Sequence, residues 1–209
     1  THSKYGTMSV DFSEQTYNWD IMEESLTEPG VNQEVAKILH HCGIAVKMNY
    51  GTDGSGSQTV DAAFSLSENF KHSSYLSHQM KEKYSENVWA EILKEELRAR
   101  RPLLYRGYNE KDGGHAFVCD GFQGNNHFHF DFGWGGAGNG YFYLDKVGGF
   151  QIEQGAIFSV EPPTATETQY CDEYKLLTAE SGTIADNSGD NRYANETSCK
   201  WLIKPEGAK

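Results

Sequence analysis

Two residues of this chain combine chemical type and position in a way that suits catalysis: His115, behind the glycine pair of KDGGHAFVCDGF, and Asp131, in HFHFDFGWGG. An imidazole titrates near neutrality, so a histidine at the start of a strand can take up and return a proton at working pH. Gly113 and Gly114 remove side chains beside that ring and let another backbone approach it. If HAFVCDGF and HFHFDF pair as an antiparallel hairpin across QGNN, Asp131 returns beside His115. A carboxylate there accepts the Nδ1 hydrogen, fixes the tautomer and leaves Nε2 for a nucleophile. Asp131 is equally suited to capping the GWGG turn that follows, and the two roles are compatible.

Metal binding competes for the same region. His127 and His129 are two apart on a strand, hence on one face, and with His115 or Asp131 they approach a zinc set. The pleat puts Phe128 and Phe130 on the other face, and no further fixed ligand is evident, so the expectation is no metal and no other cofactor. His40 and His41 are adjacent on a helix and point about a hundred degrees apart, which reads as surface rather than a ligand pair. The four cysteines divide by setting. Cys42 closes a helical pattern and Cys119 alternates with apolar residues in a strand, both positions for buried thiols. Cys171 and Cys199 lie in a polar tail rich in Gly, Ser, Thr and Asn, where a disulfide is the natural use and an extracellular or periplasmic setting follows.

The elements that must position these groups can be read from periodicity. TYNWDIM alternates as a short strand or apolar anchor. Val31, Val35, Ile38, Leu39 and Cys42 have helical spacing, with Gly43 where a helix would end in a left-handed residue. IAVKMNY reads as a strand, and GTDGSGSQTV as a glycine and serine loop without the lysine and glycine spacing of a P-loop. A second helix runs through Val60, Ala63, Phe64 and Phe70. Ser85 caps a third, with Val88, Trp89, Ile92, Leu93 and Leu97 on one face, basic residues at its end and Pro102 stopping it. Beyond Pro102 the period changes to alternation in LLYRGY, HAFVCDGF, HFHFDF, GYFYLD and AIFSVE. Helices followed by an antiparallel run of strands predict an α+β fold.

Composition limits the partners. A net charge of -12 and a pI near 5.0 leave no basic stripe for nucleic acid. No apolar run is long enough to span a membrane, and Thr1 starts no signal pattern, so any targeting segment is expected to have been removed.

On these residues the chain resembles the streptopain-type cysteine peptidases, a bacterial branch of the papain-like folds. GGHAFVCDGF and HFHFDFGWGGAGNGYFYLD match the C-terminal half of that family, and TYNWDIM, HHCGIAVKMNYG and PLLYRGY match in the same order. The resemblance implies a papain-like catalytic domain over residues 1–162 lacking its N-terminal part, and peptide-bond hydrolysis by a cysteine thiolate paired with histidine. His115 matches the catalytic histidine. Asp131 falls where the family more often has an orienting asparagine, and Phe132 where it has a packing tryptophan. Trp134 is implied as a wall of the site, Gly113 and Gly114 as room for substrate backbone, and Ser55 and Gly56 as substrate-loop positions.

The family's nucleophile matches nothing here. The implied partners are therefore an N-terminal fragment of the same precursor carrying the cysteine, a propeptide, and protein substrates. Residues 163–170 read as a linker, and residues 171–209 resemble the opening of a CUB-type β-sandwich, which implies pairing of Cys171 with Cys199. Two functions follow: a secreted two-chain cysteine endopeptidase, inactive without the missing segment, or a secreted binding or adhesion module in which the CUB-like tail does the work.

Overall fold

The computed structural model describes residues 4–23, 32–73 and 75–163, and the backbone of residues 175–177 and 201–203. Cys171, Cys199 and their expected disulfide lie outside the described residues. The chain divides into two compact units, Thr1–Phe70 and Lys71–Lys209.

The first unit holds helices α1 (Gln33–Ala45) and α2 (Thr59–Glu68). The Asn32 side chain starts α1 by accepting the Val35 N–H at 3.1 Å, satisfying one of the donors a helix start leaves unpaired. Gly43 does not end this helix. It lies inside it, where a Cβ would meet the Tyr50 hydroxyl at 1.7 Å, so the glycine serves close packing. The left-handed residue past the helix end is Lys47, with φ 53°. TYNWDIM forms a short 3-10 turn at Trp19–Ile21 rather than a strand. Its Tyr17 hydroxyl lies 2.9 Å from Nδ1 of His41, which is therefore buried and paired and not at the surface as its sequence position suggested. IAVKMNY also forms no strand: its first two residues belong to α1, and Asn49 makes an isolated bridge with Gly56.

The second unit is built on a six-stranded antiparallel sheet in the order β1-β6-β2-β3-β4-β5. Its strands are β1 (Ser77–Met80), β2 (Leu103–Asn109), β3 (Gly113–Gln123), β4 (His127–Asp131), β5 (Gly140–Tyr143) and β6 (Ile152–Phe158). All five alternating runs become strands because alternation places one apolar set on one face. Leu103, Tyr105, Phe117, Cys119, Phe128 and Phe130 form that face and are buried. Helix α3 (Glu86–Arg98) covers it with Trp89, Ala90 and Leu93. Ser85 caps α3, and Arg101 just beyond its end pairs with both oxygens of Glu96 and with Glu161.

A buried polar chain crosses the core. Trp89 Nε1 donates to the Tyr105 hydroxyl at 3.1 Å, Tyr105 donates to Oε1 of Gln154 at 2.6 Å, and Gln154 Nε2 donates to the Leu144 carbonyl at 2.8 Å. Every member is satisfied, so the chain fixes where β2, β6 and α3 meet at little desolvation cost. Beyond residue 163, β7 (Lys175–Leu177) pairs with β8 (Trp201–Ile203) in parallel.

Candidate active site

His115 stands on β3 two residues before Phe117, so alternation turns its ring toward the apolar face, at the open end of that face. The preceding hairpin turn is made by Asn109, whose Oδ1 accepts the N–H of Lys111 at 2.8 Å, and by Gly113, whose φ of 84° suits glycine. A Cβ on Gly113 would meet nothing within 4 Å, and one on Gly114 only Tyr108 at 3.9 Å, so the space beside them is open.

Aromatic rings enclose the imidazole. Trp134 stacks on it with centroids 4.9 Å apart and planes 18° apart, Phe150 lies at 5.3 Å, and Phe117 at 5.6 Å. Phe132, buried beneath, stacks in turn on Trp134 at 5.2 Å. Nε2 of His115 lies 2.9 Å from the Phe132 carbonyl oxygen. A carbonyl only accepts, so the hydrogen sits on Nε2, and Nδ1 is left with a lone pair and no hydrogen-bond partner among the described residues.

This reverses the sequence-based assignment of the two ring nitrogens and removes Asp131 as the direct orienter. Asp131 pairs across the ladder with Val118, three residues from His115, so the two side chains leave opposite faces of the sheet. Its carboxylate instead takes the Gly133 N–H at 2.8 Å and bonds the Asn139 side chain. Those two contacts, in that order, hold it below the usual carboxylate range. The capping role open to it in the sequence is the one it fills.

His127 and His129 occupy that outer face as well. His127 lies beside Tyr143 with centroids 4.2 Å apart and bonds Gln123, while His129 pairs with Asp120. No cluster among the described residues has the three or more groups a metal centre needs. Ser55 and Gly56 belong to the first unit, where the Ser55 hydroxyl meets the Gly51 N–H at 3.4 Å and Gly56 exchanges backbone hydrogen bonds with Asn49.

Neither described thiol is suited to attack. Burial pushes the Cys119 thiol far up, and Cys119 is fully enclosed on the apolar face. Burial also raises Cys42. A nucleophilic cysteine needs the opposite shift. Of the groups set around or behind the His115 ring, Trp134 carried a signal in the sequence, whereas Phe150, Asn139 and the Phe132 carbonyl carried none. Phe150 and Asn139 lie outside the alternating runs, and a main-chain acceptor has no residue signature.

The Peptidase C10 family profile matches residues 1–142. The thiol protease/hemagglutinin PrtT of Porphyromonas gingivalis is 32% identical over 179 residues, which cover 78% of this chain and 20% of that protein. Streptopain of Streptococcus pyogenes is 31% identical over 166 residues, 72% of this chain and 41% of streptopain. The structure is similar to a prointerpain A fragment of Prevotella intermedia, with TM-score 0.64 and 31% identity over 72% of this chain and 50% of that one. Active wild-type interpain A gives TM-score 0.63 at 29% identity, over 71% of this chain and 65% of that one. The chain thus spans well under half the length of the curated relatives it matches. A profile match over most of the chain, joined to a shared fold at this identity, places the chain in the Peptidase C10 family.

Proposed function

We propose that this chain supplies the histidine half of a secreted cysteine endopeptidase that cleaves protein substrates, and that a segment outside these 209 residues supplies the thiol. The observation that carries the reading is the His115 imidazole, anchored through Nε2 to the Phe132 carbonyl and stacked on Trp134, with Nδ1 unpartnered among the described residues. The family membership and the relatives named as proteases support it.

In this reading Nδ1 takes the proton of the incoming thiol, and the thiolate attacks the scissile carbonyl. The imidazolium then returns that proton to the leaving amine. The Phe132 carbonyl keeps its hydrogen bond throughout and gains strength while the ring is charged. Trp134 and Phe132 exclude water from one side of the ion pair. The open space at Gly113 and Gly114 takes substrate backbone, and Ser55 and Gly56 are proposed as substrate-loop positions.

The isolated 209-residue chain should cleave no protein substrate and take no label from an epoxide thiol reagent, whereas the chain completed by its cysteine-bearing segment should do both. In the completed enzyme His115→Ala should lower cleavage by about 10²–10⁴-fold, the usual worth of a general base. Cys42→Ala should leave it unchanged, and loss of activity there would make Cys42 the nucleophile instead.

A further inference from the structure

His115 takes its orientation from a main-chain carbonyl, and a carbonyl is only as well placed as the peptide that carries it. Phe132 lies just past the end of β4, where ladder pairing with β3 stops at Asp131 and with β5 at Phe130. The sheet therefore does not hold this peptide, and side chains must. The peptide just before it is held by the Phe132 N–H, which donates to Oδ1 of Asn139 at 3.0 Å. The carbonyl's own peptide is held through its Gly133 N–H by the Asp131 carboxylate, which the amide nitrogen of the same Asn139 serves in turn. Asn139 stands immediately before β5, so one amide ties both ends of the GWGG loop together. Beneath, the Phe132 ring rests on Gly148, where a Cβ would come within 2.4 Å of it.

We propose that Asn139, backed by Asp131, is a positioning residue that fixes the Phe132 carbonyl and, through it, the tautomer and plane of the His115 ring. This rests on His115 being the catalytic base. The chemistry at position 139 is specific: it must offer an acceptor to a backbone N–H and a donor to a carboxylate at once, which a neutral amide does. An aspartate there keeps the acceptor and sets two carboxylates against each other.

The test is carried out on the enzyme completed by its cysteine-bearing segment, measuring kcat and KM on a peptide substrate from about pH 5 to 9, the range in which imidazoles titrate. Asn139→Ala should lower kcat by about tenfold to a hundredfold, the scale of a misplaced catalytic group, with KM nearly unchanged. Asn139→Asp should be most impaired at high pH and recover toward acid, where the two carboxyls share a proton and a donor returns. The ionisable neighbours on the Asp131 side are His129 and its partner Asp120, and both are left unsubstituted in every variant. The double variant Asp131→Asn/Asn139→Asp exchanges donor and acceptor, and it should recover most of the kcat lost in Asn139→Asp across the whole pH range.

Wild-type kcat in Asn139→Ala would overturn the proposal. So would a double variant as impaired as Asn139→Asp, a comparison that holds even if the alanine variant fails to fold. Should His115→Ala remain active, the reading of His115 itself fails. If His115→Ala is inactive while the Asn139 variants match wild type, only the positioning role fails.

Discussion

At the scale of single residues, the stack on His115 is held from below as well as from the side. Gly148 has φ 51° and no room for a Cβ against Phe132, so Gly148→Ala combines backbone strain with displacement of a buried ring. A loss of about 1–3 kcal/mol in urea unfolding is expected, together with reduced kcat in the completed enzyme. Unchanged stability would show that Phe132 has space to shift. That His115 and Trp134 belong to one neighbourhood was legible in the sequence, because glycines and tryptophans mark departures from routine alternation. The pairing of Asp131 with His115 was not, because residue type says nothing of parity. Asp131 faces Val118, and one residue's difference in register decides which side of the sheet a carboxylate serves.

At the scale of elements, helix α3 and strands β2 and β6 are joined by the Trp89–Tyr105–Gln154 chain. Tyr105→Phe keeps the volume but leaves a buried indole N–H and a buried amide oxygen unpaired, costing about 1–3 kcal/mol for each orphaned group. Thermal denaturation of that variant should show a clear fall in midpoint, and a wild-type midpoint would mean that the two groups find other partners. The third helix and the five strands after it were legible because their periods are clean. Strand β1, SHQM, was not, since four polar and mixed residues carry no alternation; it forms because Ser77–Met80 register against Gly155–Phe158 of β6. Gly43 and the IAVKMNY run were misread for one reason: tertiary packing on Tyr50 lets α1 continue through a residue that usually ends helices.

At the scale of the whole molecule, the described core is concentrated in the second unit, where every buried apolar residue except Ala63 lies. That core contains two acids that burial keeps neutral, the Cys119 thiol and the Tyr105 phenol, both pushed up from their ordinary values. For a group whose folded pKa is raised, stability is fully present below the unfolded pKa and is lost as pH rises above it toward the folded value. The loss should begin near pH 8.5 for the thiol and near pH 10 for the phenol, the ordinary values of those groups. The free energy of unfolding should therefore fall from about pH 9 upward, by about 1.4 kcal/mol per pH unit while one group is involved and more steeply once both are, and denaturation midpoints should fall with it. Cys119→Ala should flatten the first part of that decline despite its cavity, and a decline of unchanged slope would assign it to other groups. The α+β class and the family were legible in motif order, because motifs are read along the chain. The atoms that touch His115 were not, because contacts are made across it.

The anchor of His115 has a consequence for how this site can be mapped. Its acceptor is the main-chain oxygen of Phe132, and every amino acid placed at that position still carries a carbonyl. Substituting side chains one at a time can displace that oxygen but never delete it. Such a survey would report the residues that place the oxygen, Asn139 among them, and the acceptor itself would be removed only by editing the peptide bond, for instance by replacing that oxygen with sulfur.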